Sequence, residues 1–385
     1  MKILHTADWH VGRAIRGRSR ADEHRNVLAE IADIADSERV DVVLVVGDLF
    51  DTATPTAESE NIVYAALLAL AQTGAIVVVL AGNHDSDRRL QAVAPLLELG
   101  HVVTRPLFAP ADDGGVVELV SRDGRERARL ACIPFLSQRW VVKAHDLLDH
   151  DAATHQLQYS ERMRRLVRAL TAGFTDPDTI HLLAAHCMVL GAATTGSERM
   201  GQTVFEYAIT AHAFPPSLQY VALGHLHRQQ AVPGPVPIHY SGSPLQLDFG
   251  EVKDKKGVLL IEVHAGKPAI VRPVPLTRGR RLRLIEASLS QLAAPTLETG
   301  EDWLKIVLND KVRPGLADEV RALFPNAVDV VVTSAEDAAR PERKQRTGRA
   351  PHELFAEFLA DRSIDDEKLG PMFAEMLDSI MESPA

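Results

Sequence analysis

Five apolar runs in this chain each end in Asp, His or Asn. The first is followed by D-x-H, with Asp8 and His10. The second is followed by G-D-x-x-D, with Asp48 and Asp51. The third leads into G-N-H-D, with Asn83, His84 and Asp85. TIHLLAAH ends in His186, and YVALG is followed by His225 and His227. On an extended chain, positions i and i+2 point the same way, so the last two imidazoles are aimed into one space. Carboxylate, imidazole and amide oxygen without thiolate suit manganese, iron or zinc. The donors are too many for one tetrahedral ion and about enough for two ions sharing a carboxylate. Two ions roughly 3.5–4 Å apart can clamp the attacking and leaving oxygens of a phosphoryl displacement and lower the pKa of water. Any one of these short patterns occurs by chance. Their order, each at the end of a strand, is what carries the signal.

The elements that must position these residues can be read from the apolar pattern. VDVVLVVGD and AIVVVLAGNHD are continuous apolar runs, which mark strands buried on both faces. Helical spacing at Val27, Leu28, Ile31 and Ile34, and the stretch IVYAALLALA, lie between them. This predicts βαβ units and a parallel sheet. In such sheets the carboxyl ends of the strands form the ligand crevice. RARLACIPF, TIHLLAAH, YVALGHLH, PIHYSGSP and GVLLIEVH follow as strands, with a long helix near residues 155–172. The later strands come faster, which predicts a mixed or antiparallel half. The fold class is α/β, a two-sheet sandwich flanked by helices over residues 1–272. From Arg278 the pattern resets to a small α+β domain over residues 275–335. A polar linker over 336–350 and a helical tail over 351–385 complete the expected organisation.

Composition sets the outer limits. The 385 residues exceed one ordinary core, and 46% hydrophobic with 24% charged is a globular composition. No apolar run has the length of a membrane span, and MKILHTADWH reads as a strand, so the cytoplasm is the expected compartment. Cys132 and Cys187 are the only cysteines, which excludes a disulfide framework. The net charge is −10, but the tail holds nine acids against two bases, so acidity is concentrated there. It does not argue against a polyanionic substrate. His5 and the remaining ten histidines show no partner pattern; His5 reads as a packed, hydrogen-bonded core residue.

Taken in order, these patterns resemble the calcineurin-like metallophosphoesterases. DWHVGR, GDLFDTATPT, AGNHDS, AHCMVLGA, ALGHLHR and YSGSPLQLDFGE further resemble the SbcD family, nuclease subunits that act with the ATPase SbcC. The resemblance implies that Asp8, His10 and His227 bind one metal, Asn83, His186 and His225 the other, and that Asp48 bridges. It implies two divalent ions, with manganese the expected metal. His84 would contact the phosphate, with Asp85 orienting it by a hydrogen bond. Asp51 would lie behind the ligands or close to substrate.

The site chemistry alone does not choose among monoesters, cyclic nucleotides, phosphoproteins and nucleic acids. Arg13, Arg16, Arg18 and Arg20 follow His10, and Arg278, Arg280, Arg281 and Arg283 form a second cluster. Two clusters fit a track for a phosphate backbone. The resemblance implies a DNA nuclease: a 3′–5′ exonuclease on duplex ends, an endonuclease on single strands and an opener of hairpins, in repair and recombination. It implies a capping role for the small domain and a homodimer. A small-molecule phosphodiesterase or nucleotidase on the same core is the competing enzyme reading, and a non-catalytic scaffold the third. The tail stripes Leu354, Phe355, Phe358, Leu359 and Phe373, Met376, Leu377, Ile380 call for a docking partner, which the resemblance gives as the coiled-coil base of SbcC. The chain has no G-x-x-x-x-G-K-[ST] loop, so ATP hydrolysis would belong to that partner.

Overall fold

The computed structural model describes residues 1–137, 152–195, 208–293 and 298–332, with scattered residues of the tail between 355 and 373. The linker, and half of the two tail stripes (Leu354, Met376, Leu377 and Ile380), lie outside the described residues. In chain order the first half runs β1 (Lys2–Thr6), α1 (Ala21–Ser37), β2 (Val42–Val46), α2 (Ala57–Gln72), β3 (Ile76–Leu80), α3 (Asp87–Leu99), β4 (Val102–Arg105), β5 (Val116–Val120) and β6 (Arg127–Ile133). It continues with α4 (Ala152–Thr171), β7 (Thr179–His186), the short β8 (Met188–Val189) and β9 (Ala208–Ile209), then β10 (Tyr220–Gly224), β11 (Gln230–Val232) and β12 (Ile238–Tyr240). The strands β13 (Gly257–Glu262) and β14 (Ile270–Pro275) close the large domain.

One six-stranded sheet has the order β14-β13-β1-β2-β3-β4, and the other β11-β12-β10-β7-β6-β5. The continuous apolar runs are explained by what covers each face. Val43 and Val45 of β2 pack toward α1, α2 and α3, with Val27, Ile31, Val63 and Leu67. Val42, Leu44 and Val46 face the second sheet, against residues such as Leu182, Ala184 and Ala222. On the far side of that sheet, Tyr159, Met163, Val167 and Leu170 of α4 recur at helical spacing and seal it. The result is four layers, helices, sheet, sheet, helix, as the alternation predicts. Thr56 and Ser86 cap α2 and α3 by accepting from Ser59 N and Arg89 N, a contribution of about 0.5–2 kcal/mol each.

The mixed character falls elsewhere than the strand spacing suggests. The centre of the second sheet, β12-β10-β7-β6, is parallel throughout. The antiparallel pairs are its two edges and the late strands β13 and β14, which return to extend the first sheet beside β1. A strand that comes late in sequence can still add to the oldest edge, and spacing alone does not report this.

The small domain is a three-stranded sheet, β15 (Leu282–Ala287), β16 (Trp303–Leu308) and β17 (Ala327–Val332), in that order. All three run parallel, because α5 (Leu289–Leu292) and α6 (Leu316–Leu323) lie on the two crossovers. It has its own core around Leu304, Ile306, Leu308, Leu316 and Val320.

A buried polar hub joins this domain to α1. Glu23 accepts from Arg20 at 2.8 Å, from the Trp303 indole at 2.7 Å and from Arg280 N at 3.2 Å. Burial alone would raise the Glu23 carboxyl; the hydrogen bonds and charge of Arg20 outweigh it and hold it low. Glu30, further along α1, accepts from the Thr277 and Arg278 amides. Removing one partner of a buried ion pair costs about 3–5 kcal/mol, because the other charge is left without compensation. Arg20, which is 2% exposed, is therefore a structural residue.

Candidate metal centre

The parallel strands β1, β2 and β3 of one sheet, and β7 and β10 of the other, deliver their carboxyl ends to one place. Asp48 is common to two groups of ligand atoms, each within 4.8 Å mutually: His10, Asp48 and His84, and Asp48, His186 and His225. Asp48 Oδ2 lies 3.6 Å from His10 Nε2 and 3.5 Å from His186 Nε2. Asn83 Oδ1 stands 3.1 Å from His186 Nε2 and 2.8 Å from His225 Nδ1. Asp8 accepts from the His225 amide at 2.9 Å, and the His10 and His227 rings meet at 4.8 Å between centroids. Around Asp48 the contacts thus bring His10 beside His227, and Asn83 beside His186 and His225, while Asp8 is tied to the main chain of His225.

Backbone conformation at the site is costly and local. Asp8, His10, Asp48 and His225 all have positive φ, at 53°, 47°, 51° and 106°. Such strain persists only where the surroundings over-determine it. Glycine precedes three of the ligand turns for steric reasons. A Cβ on Gly82 would lie 2.1 Å from Asp48 Oδ1, and one on Gly224 would lie 1.9 Å from the Val46 carbonyl oxygen. G-D, G-N and G-H in the sequence therefore mark where backbone and ligand are packed together.

The residues present fit a pair of divalent cations. Both ring nitrogens of His10 are buried without a hydrogen-bond partner, a costly state for an imidazole unless a cation takes it. His186 donates Nδ1–H to the Val46 carbonyl at 2.8 Å, which presents Nε2 to Asp48 and Asn83. A ligating histidine is typically held in this way. Burial opposes charge on His186, but the Asp48 carboxylate prevails and raises it to about 9. Burial works against ionisation of Asp48 too, yet His186, His10 and His84 hold it well below the usual carboxylate range. Burial, with Asp48 nearby, raises Asp8 to about 7. Burial lowers His10 to about 4 and His225 to about 3, which keeps them neutral.

His84 lies edge-on to His10, with centroids 4.6 Å apart. The expectation that Asp85 orients it is corrected. His84 Nδ1 meets the main-chain carbonyl of Asp51 at 2.7 Å. Asp85 instead accepts from the amides of Leu49, Phe50 and Gly82, so it ties the loop after β2 to the loop after β3. Burial, with Asp48 nearby, raises its carboxyl to about 7. Asp51 stands behind the ligands: its side chain reaches Arg13 at 3.3 Å and His10 Nδ1 at 3.6 Å.

Two residues that the motifs did not single out belong to the site. Glu251 meets His227 Nδ1 at 3.1 Å, and Lys256 meets Glu251 at 2.6 Å. Glu251 ends the stretch YSGSPLQLDFGE, the one sequence signal that could have found it. The arginine clusters are largely spent on ion pairs: Arg16 with Asp329, Arg278 with Asp33, Arg280 with Glu301. Arg18 and Arg281 remain exposed. His5 is a core residue, bonded to the Tyr220 hydroxyl and the Leu223 carbonyl. Cys132 and Cys187 are buried thiols pushed up to about 12 by burial.

A sandwich of two sheets whose strand ends converge on a shared aspartate defines a class. Over residues 1–229 the chain matches the calcineurin-like phosphoesterase family, and residues 278–363 match the type 5 capsule protein repressor C-terminal domain. It is 31% identical over 404 residues to the D subunit of the nuclease SbcCD from Bacillus subtilis, covering 100% of both chains. It is 33% identical over 384 residues to that of Rhodobacter capsulatus, covering 92% of this chain and 94% of the relative. For Escherichia coli K12 the identity is 28% over 394 residues, covering 96% and 95%. The chain belongs to the calcineurin-like phosphoesterases and, within them, to the SbcD family of nuclease subunits, and it is a metal-dependent phosphodiesterase of that kind. Among the described residues no helix is long and apolar enough to cross a membrane.

Proposed function

We propose that this chain is a manganese-dependent DNA nuclease of the cytoplasm, acting with the SbcC ATPase in repair, recombination and replication. The observation that carries this reading is Asp48, shared by two ligand groups at one sheet edge. Asp8, His10 and His227 would hold one ion, Asn83, His186 and His225 the other, and Asp48 would serve both. When bound, the ions supply Lewis acidity at the phosphate and lower the pKa of water. The chain's own residues do the rest. The Val46 and Asp51 carbonyls fix the tautomers of His186 and His84. With Nδ1–H held by the Asp51 carbonyl, His84 acts as an imidazolium: its Nε2–H supports the phosphate oxygens and passes its proton to the leaving oxygen, and water restores that proton afterwards. Asp85 holds the two loops that place Asp48 and His84.

The substrate is duplex DNA with ends degraded 3′ to 5′, with nicking of single strands and hairpin opening. Arg18 and Arg281 are suited to backbone contacts, and the small domain at 275–335 presents DNA to the site. The test is metal-dependent turnover of end-labelled duplex DNA beside mononucleotides and cyclic nucleotides. The expected result is cleavage of DNA and neither of the others; nucleotide hydrolysis without DNA cleavage would establish the competing small-molecule reading.

The tail over 351–385 docks on SbcC. Phe355 and Phe373, one from each stripe, stack at 4.1 Å, and Phe358 is exposed. Deleting the tail should abolish capture of SbcC in a pull-down and leave intrinsic nuclease activity; retained capture contradicts the assignment. The chain forms a homodimer through α2 and α3, where Leu68, Leu96 and Leu99 are exposed, the last two at 70% and 81%.

A further inference from the structure

Glu251 is completely buried, and nothing in the hydrolytic scheme above uses it. It lies on the turn Phe249–Glu251, well along the chain from the strand that leads to His227. Its two oxygens are shared between distinct tasks. Oε1 meets His227 Nδ1 at 3.1 Å. Oε2 accepts from the Leu247 amide at 3.1 Å and faces Lys256 Nζ at 2.6 Å. Lys256 also donates to the His227 carbonyl at 2.9 Å and to Ser243 Oγ at 2.8 Å. Its three acceptors match the three N–H bonds of an ammonium group. One lysine therefore holds both the main chain of His227 and the carboxylate that meets its ring. The turn itself is fixed by Gln246, whose amide nitrogen donates to the Glu251 and Val252 carbonyls, each at 3.0 Å.

We propose that Glu251, clamped by Lys256, is a positioning residue that turns His227 so that Nε2 faces the metal site. This rests on the assignment of His227 as a ligand. The physical reason is general: a buried imidazole has two nitrogens, and the hydrogen bond at one decides which other one is offered to a cation. Here Nδ1–H donates to a carboxylate that cannot rotate away, because both of its oxygens are engaged. The inverse arrangement, with Nδ1 toward the cation, would break that bond and leave a buried carboxylate facing the wrong atom.

The test is manganese titration of full-length wild type and Glu251→Gln, followed by calorimetry and electron paramagnetic resonance. Wild type should take up two ions. Glu251→Gln should bind one of them about 10–100-fold more weakly and the other unchanged. Two ions bound by the variant with wild-type affinity would overturn the proposal while leaving the metal assignment intact. Fewer than two ions in wild type would overturn the metal assignment and this proposal with it. Should the variant fail to fold, the wild type decides alone. Long-range proton–nitrogen NMR of the protein loaded with zinc should show His227 protonated on Nδ1; a proton on Nε2 overturns the proposal.

Discussion

Replacing Asp48 by alanine should release both metal ions and lower phosphodiester cleavage by about 10⁴-fold or more, since the whole metal contribution goes with them. Asp48 is the one residue present in both ligand groups. Its Oδ1 also accepts from the His84 amide at 2.8 Å, so the substitution frees the loop that carries His84. Proton release offers a second reading of the same residue. Metal uptake by wild type must displace protons from His186, raised to about 9, and from Asp8, raised to about 7. Affinity should therefore tighten as pH rises through this range. In Asp48→Ala, His186 loses the carboxylate that does most to raise it, and burial then lowers it against the weaker pull of Asp8 and the Val46 carbonyl. Proton release on adding manganese, measured by calorimetry in buffers of different ionisation enthalpy, should vanish in the variant. Two ions retained at wild-type affinity would contradict the bridging role.

His84→Ala should separate binding from chemistry. The ring is nearly buried and held by the Asp51 carbonyl at 2.7 Å, a contact with the main chain that leaves the ligand set intact when it is lost. Both ions and DNA affinity should survive. Cleavage should fall by about 10²–10⁴-fold, the range for loss of a positioned proton donor. Single-turnover cleavage with DNA in excess of its dissociation constant checks this, together with metal content. Wild-type cleavage by the variant would remove His84 from the mechanism. Asp85→Asn should act differently, through the Leu49, Phe50 and Gly82 amides, and disturb the metal site along with the rate.

What can be read from sequence follows from how local each feature is. The strand ends are legible because an apolar run and its terminal Asp, His or Asn are contiguous, and because glycine before three of the ligand turns answers a close contact. The ligand partition follows from the family resemblance; the distances by themselves group His186, His225 and Asn83 and leave Asp8 tied to the His225 amide. Asp85 misleads because D follows H in sequence, whereas its partners are amides on two loops. Glu251 escapes notice because its contact with His227 is made across a separate turn. Arg20 looks like one more cation in a track, and only the packing of Glu23, Trp303 and Gln246 around it shows a buried clamp. The return of β13 and β14 to the first sheet, likewise, is a choice of edge that no local pattern encodes.

The most direct test of the dinuclear centre is anomalous diffraction at the manganese edge from crystals grown with manganese. Two peaks should appear, roughly 3.5–4 Å apart, one beside His10 and His227 and one beside His186 and His225, with Asp48 between them. A single peak, or two that do not share Asp48, would contradict the account.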